Sequence, residues 1–149
     1  MHLHIGSQAP EIKAKNQDGN SVQLSDFKGK KVILYFYPKD NTPACTAEAC
    51  SLRDNYESFL AKGYIVLGVS TDSEKSHKKF IQKYALPFDL LSDTDHKIVN
   101  DYGVWAEKQM WGRTYMGIVR TTFVIDEKGI IEEIISKVDT KNHAEQILK

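Results

Sequence analysis

KVILYFYPKDNTPACTAEAC, residues 31–50, contains the change of pattern that decides the fold. Lys31 to Pro38 is a continuous apolar run rich in β-branched and aromatic residues, as expected for a strand buried on both faces. Thr42-Pro43 then supplies a helix start, with Thr42 at the N-cap and Pro43 at the first helical position. Behind it Ala49, Leu52, Tyr56, Phe59 and Leu60 recur at helical spacing, predicting one helix that stops at Gly63.

The neighbouring segments repeat this alternation. YIVLGVS (Tyr64 to Ser70) reads as a second buried strand, and Asp72 or Ser73 caps a helix carrying Phe80, Ile81 and Tyr84 that ends before Pro87. PFDLLSD is a short strand and HKIVNDYG a short helix, followed by a loop rich in Trp and Met. TTFVID and IIEEIISKV form a hairpin across Lys128-Gly129, and HAEQILK closes the chain as a helix. Upstream, Asp18-Gly19 between alternating apolar residues signals an N-terminal β-hairpin. The order predicts an α/β fold with a central mixed β-sheet flanked by helices. No repeat or linker interrupts the chain, so residues 1–149 read as a single domain.

Composition narrows the function classes. Twenty Lys plus Arg balance twenty Asp plus Glu, so no long-range field attracts a phosphate backbone and no nucleic-acid partner is expected. The apolar runs are far too short to span a bilayer, and no membrane partner is expected. The start, MHLHIGSQAPEIK, lacks the pattern of a secretory signal. A cytoplasmic, reducing location is therefore the expectation, and there a close cysteine pair is more often reactive than structural.

The chain has two cysteines, Cys45 and Cys50. With Thr42 as N-cap, Cys45 lies in the first helical turn, where unpaired N–H groups and the helix dipole favour negative charge. Such a site lowers a thiol from about 8.5 toward roughly 4–7 and so favours the nucleophilic thiolate. Ionisation alone gives little: a thiol near 8.5 is already roughly 3% ionised at pH 7, so full ionisation gains at most about 30-fold, or ~2 kcal/mol. The remaining catalysis must come from donors that stabilise the breaking bond, and the Thr42 hydroxyl is one candidate.

On a regular helix, residues five apart have Cα atoms roughly 8.7 Å apart and point about 140° from each other. A disulfide requires about 4.4–6.8 Å. Cys45 shares the stripe of Ala49, Leu52 and Tyr56, whereas Cys50 faces the polar side with Arg53, Asp54 and Glu57. Either the two thiols are unrelated, or the helix melts locally so that Cys50 reaches an oxidised Cys45.

PKDNTPAC meets the pattern Pro-x-x-x-Thr-x-x-Cys with Pro38, Thr42 and Cys45; Cys50 follows five residues later, and Arg120 precedes the late strand in YMGIVRTTFVID. In these features, and in YGVWAEKQMWGRTYMGIVRTTFVID, the chain resembles the peroxiredoxins, most closely the peroxiredoxin Q or bacterioferritin comigratory protein subfamily. The resemblance implies a thioredoxin-like fold and a thiol peroxidase acting on hydrogen peroxide and organic hydroperoxides. It implies Cys45 as the peroxidatic nucleophile and Cys50 as its resolving partner. Thr42 and Arg120 would be donors to the substrate oxygens, and Pro38 a shield against water. It further implies a thioredoxin-like reductant, no metal or organic cofactor, and a monomer, with a dimer as the alternative. Ala44 departs from the Gly usual at that place and predicts a firmer helix start with slower disulfide formation.

Other residues read more plainly. Arg is rare among the basic residues, so Arg120 beside TTFVID suggests a fixed hydrogen-bonding fork, whereas Arg53 and Arg113 read as surface residues. Trp105, Met110, Trp111, Tyr115 and Met116 read as core or loop packing, some of them walling a pocket. His2, His4, His77, His96 and His143 match no zinc spacing and receive no role. A thiol–disulfide carrier would call for a C-x-x-C pair, which is absent; a redox sensor without peroxidase turnover is the remaining alternative.

Overall fold

The computed structural model describes residues 2–149. The strands are β1 (Lys13–Lys15), β2 (Ser21–Gln23), β3 (Lys31–Phe36), β4 (Tyr64–Ser70), β5 (Asp89–Ser92), β6 (Trp105–Met110), β7 (Arg113–Ile118), β8 (Thr121–Ile125) and β9 (Ile131–Ile135). The helices are α1 (Pro43–Asp54), α2 (Tyr56–Ala61), α3 (Glu74–Tyr84), α4 (Lys97–Asp101) and α5 (His143–Leu148). Seven strands form one sheet in the order β2-β1-β5-β4-β3-β8-β9, with β3, β4 and β5 parallel and the remaining pairings antiparallel. The expected mixed sheet, flanking helices and N-terminal hairpin are all present. No helix among the described residues is long and apolar enough to cross a membrane.

The centre of the sheet explains the patternless apolar run. Val32, Leu34 and Phe36 of β3 enter a core with α4, while Ile33, Tyr35 and Tyr37 enter a second core with α1, α2, α3 and α5. Both faces of β3 are covered, so both side-chain sets must be apolar. Register fixes the location of the chemistry. Phe36, the last residue of β3, pairs with Thr121, the first of β8. The chain leaving β3 toward α1 and the chain entering β8 therefore meet at one end of the sheet, which brings residue 120 to the start of α1.

Gly68 shows how tight the second core is. It pairs with Tyr35 on one side and Leu90 on the other, and a Cβ there would lie 2.6 Å from Leu90 Cδ2 and 2.9 Å from the Tyr35 ring. Gly68→Ala is expected to destabilise the fold by roughly 1–3 kcal/mol through overpacking, read as a lower urea midpoint at unchanged slope. A midpoint equal to wild type would show that Tyr35 moves freely.

Two segments differ from expectation. The helix predicted to run to Gly63 ends at Asp54 and restarts at Tyr56. Asn55 turns its amide back to the Ser51 carbonyl at 2.9 Å, the local competition for backbone groups that disfavours Asn inside helices. Leu60, placed on the apolar stripe, is consequently exposed. The Trp- and Met-rich loop is instead the hairpin β6–β7, closed by the two-residue turn Trp111-Gly112 with φ of 55° and 73°. Two positive φ values match a turn whose twist suits a hairpin, although Trp at its first place hides the signal. Met110, Trp111, Tyr115 and Met116 are exposed rather than core, and only Trp105 packs against the interior.

Candidate active site

Thr42 occupies the N-cap position with extended φ and ψ, and Pro43 is the first helical residue, as its missing N–H allows. The Thr42 side chain makes no cap: its hydroxyl donates to the Lys39 carbonyl at 2.9 Å. Cys45, third in α1, is 2% exposed and packs with Ala49 and Leu52, as the stripe required. Cys50 is half-buried; both thiols are free and α1 runs intact through them. Pro38 is half-buried after β3, within the 37–42 segment that leads to α1.

Arg120 reaches this helix from across the sheet. Its Nη2 donates to Cys45 Sγ at 3.3 Å and its Nη1 to Glu48 Oε1 at 2.7 Å. Cys45 and Glu48 are three apart, so one turn of α1 presents both to the two prongs of a planar guanidinium. Burial works against the Arg120 charge, but the Glu48 carboxylate and the Cys45 sulfur outweigh it and raise its pKa. Burial pushes Glu48 up to about 7 despite the pull of Arg120.

Glu48 was not anticipated from the sequence. It is the one acid on the buried stripe of α1, at a position where an unpaired charge would be costly, and that alone could have flagged it. Its second oxygen has no hydrogen-bond partner among the described residues and lies 3.5 Å from His143 Nε2. That nitrogen is 2.7 Å from Thr122 Oγ1, and His143 Nδ1 is 2.8 Å from Gln146 Oε1. Burial, foremost, lowers the His143 pKa and keeps the ring neutral. Ser51 Oγ accepts from the Ala144 backbone N–H at 3.0 Å, binding α5 to the back of α1. Tyr35 adds a buried hydroxyl without a partner among the described residues; burial, then the nearby Glu48, hold its pKa well up, so it keeps its proton.

His77 and His143, which carried no role in the sequence reading, are both fully buried. His77 belongs to a group with Asp40 and Asp72 whose ligand atoms lie within 4.8 Å of one another. Those atoms are already engaged by protein donors: Tyr37 and Ser76 hydroxyls on Asp40, and the Ser70 hydroxyl and Asp40 N–H on Asp72. The arrangement is a satisfied hydrogen-bond network.

Glu48 gives a signed pH dependence. An acid whose folded-state value exceeds its unfolded one keeps its proton between the two, so it removes stability as pH climbs from 4.5 to about 7. The neutral His143 acts with the opposite sign up to its ordinary value, so wild type alone mixes the two. Comparison with Glu48→Gln isolates the acid: the variant should gain roughly 3 kcal/mol relative to wild type between mildly acidic and mildly alkaline pH. Urea unfolding of both proteins across that range measures it, and parallel stability curves would remove the assignment.

The AhpC/TSA family model matches residues 5–134. The chain is 46% identical to the peroxiredoxin Bcp of Bacillus subtilis, over 100% of this chain and 95% of that one, and 45% identical to the peroxiredoxin Bcp of Escherichia coli, over 98% and 94%. A peroxiredoxin Q structure from Xylella fastidiosa superposes with a TM-score of 0.93 at 34% identity, covering 99% and 94% of the two chains. The bacterioferritin comigratory protein of Xanthomonas campestris, whose structures concern its alkyl peroxide reduction activity, superposes at 0.88 with 33% identity, also over 99% and 94%.

Proposed function

Because the chain belongs to the AhpC/TSA family and is a thiol peroxidase of the Bcp and peroxiredoxin Q kind, we propose that Cys45 reduces hydrogen peroxide and organic hydroperoxides and is resolved by Cys50. The observation that carries this reading is the 3.3 Å contact from Arg120 Nη2 to Cys45 Sγ, between residues 75 apart in sequence. An N–H aimed at sulfur stabilises thiolate over thiol, and the half-buried Arg120 guanidinium keeps its charge through the reaction.

The thiolate attacks the terminal peroxide oxygen along the O–O axis. The S–O bond forms as the O–O bond breaks, sulfur is oxidised to sulfenic acid, and the departing oxygen takes a proton and leaves as water or alcohol. Arg120 has spare N–H groups for the oxygens as charge builds on the leaving one. Thr42 supplies a second donor once its hydroxyl turns from the Lys39 carbonyl, and Pro38 limits water at the entrance. The α1 start then unwinds, the Cys50 thiolate displaces hydroxide from the sulfenic sulfur, and the disulfide forms with loss of water. A dithiol protein of the thioredoxin class reopens it by exchange. The unit acting is one cytoplasmic domain over residues 1–149, a monomer needing no cofactor.

Peroxide consumption coupled to thioredoxin and its reductase tests the whole cycle. Many turnovers per Cys45 are expected, with a Cys45–Cys50 disulfide in protein oxidised without reductant. One stoichiometric oxidation and no turnover would leave a redox sensor instead.

Ala44 bears on the unwinding step. It is exposed at the second position of α1, so its contribution is helix preference rather than contact. Glycine there is less favourable by about 1 kcal/mol, and Ala44→Gly should form the disulfide up to about fivefold faster at an unchanged rate of Cys45 oxidation. Stopped-flow tryptophan fluorescence separates the two phases; equal resolution rates would refute the helix-start account.

A further inference from the structure

The 37–42 segment between β3 and α1 is anchored most densely through Asp40. The Tyr37 N–H also donates to the Val69 carbonyl at 3.1 Å, and Asn41 Oδ1 accepts from the Tyr84 hydroxyl at 3.2 Å and Lys83 Nζ at 3.4 Å. Asp40 accepts the Tyr37 hydroxyl on Oδ1 at 2.5 Å, and on Oδ2 it receives the Ser76 hydroxyl and meets His77 Nδ1, both at 2.7 Å. Its backbone N–H donates to Asp72 at 2.8 Å. His77 has no solvent exposure, and its other ring nitrogen lies 3.0 Å from the Leu91 carbonyl. A carbonyl can only accept, so Nε2 carries a hydrogen. Both Asp40 oxygens already accept a hydroxyl hydrogen bond, so Nδ1 is placed to donate to Oδ2. The groups facing the ring are Asp40 and Tyr37 from the 37–42 segment, Ser76 on its own helix, the Leu91 carbonyl of β5, and the Asp72 carboxylate within the same cluster. Both ring nitrogens of His77 thus face accepting oxygens, the placement that suits a doubly protonated ring paired with Asp40.

We propose that His77 is a positioning residue for the peroxidase reaction: its ion pair with Asp40 latches the 37–42 segment to α3 and β5, holding the first turn of α1 where Cys45 meets Arg120. The inference rests on the proposed peroxidase cycle and adds to it the element that sets its two conformations. The latch ends at Asp40; the next residue, Asn41, has a φ of 60°, a left-handed conformation that Asn tolerates better than most side chains. Unwinding for the disulfide therefore has a firmly held side, up to the buried Asp40, and a weaker side from Asn41 onward, where the contacts to α3 are the exposed ones from Tyr84 and Lys83 to Asn41 Oδ1. Small displacements at a reacting atom can cost on the order of 100-fold in rate, so a loose latch should appear directly in peroxide attack.

Two variants and one spectrum test this. His77→Gln keeps a hydrogen-bonding side chain but loses the charge; Ser76→Ala removes one donor to Asp40 from a partly exposed helix position. In stopped-flow experiments His77→Gln should slow Cys45 oxidation about 10-fold and hasten disulfide formation severalfold, with Ser76→Ala shifting both in the same directions by about threefold. A merely structural role would lower thermal stability and move both rates together. Nitrogen-15 spectra of the wild type should show both His77 ring nitrogens protonated at neutral pH. Unchanged oxidation in both variants, rates that fall in step, or a neutral His77 ring would each overturn the latch. A wild type that does not react with peroxide overturns the peroxidase reading itself, and this inference with it.

Discussion

Cys45→Ser lowers the rate constant for peroxide reduction by on the order of 10⁴-fold or more, the largest effect expected of any single change in this chain. The substituted oxygen occupies nearly the place of the sulfur, and the Arg120 fork, still tied to Glu48 at 2.7 Å, remains in position. The loss therefore reports the nucleophile and not the collapse of its surroundings. A serine hydroxyl stays protonated beside Arg120 and lacks the polarisable electron pair that attacks O–O bonds, whereas a thiol reacts through its ionised fraction. Ionisation accounts for at most about 30-fold in the cysteine enzyme, so the greater part of the loss belongs to sulfur's own reactivity. Peroxide consumption by stopped flow measures it, with thermal unfolding as the control for folding. A variant within about tenfold of wild type would mean that another group performs the reaction. Cys50→Ser makes the complementary test: the proposed cycle predicts that the first oxidation survives and that turnover with thioredoxin as reductant is lost.

How much of this was legible in sequence depended on how local each cause is. The strand at Lys31, the helix start at Thr42-Pro43 and the inward face of Cys45 follow from contacts a few residues apart, and the structure holds them where the pattern placed them. The alternating covering of β3 could be inferred from its unbroken apolar run. Glu48 was legible and passed over: an acid on a buried stripe demands a partner, and the only question was which. The Asp40–His77 pair was not legible, because its members stand 37 residues apart and neither carries a local signature. The hairpin at 105–118 escaped for a different reason. Its strands are largely exposed, so alternation is weak, and its turn uses Trp where Asn or Asp would have announced it. The break at Asn55 shows the same competition at small scale, a side-chain amide capturing a carbonyl that periodicity assigned to the helix.

Arg120→Lys is expected to slow Cys45 oxidation by roughly 10²–10³-fold, although charge is conserved. Arginine at this place serves two acceptors at once, Glu48 Oε1 through Nη1 and Cys45 Sγ through Nη2. An ammonium is a single point on a flexible stem and can satisfy one of them. If it goes to Glu48, the thiolate and the developing charge on the leaving oxygen lose their fixed donor. If it goes to Cys45, Glu48 is left buried with both oxygens unmatched, and it takes up a proton instead. In either case the site loses preorganisation, and removing one such donor typically costs about 3–4 kcal/mol. The thiolate ultraviolet band distinguishes the two outcomes: a retained band with a slow rate places the loss in the transition state, whereas a diminished band places it in the ground-state ionisation of Cys45. A lysine variant within about threefold of wild type would show that positive charge alone suffices and that the fork geometry is incidental.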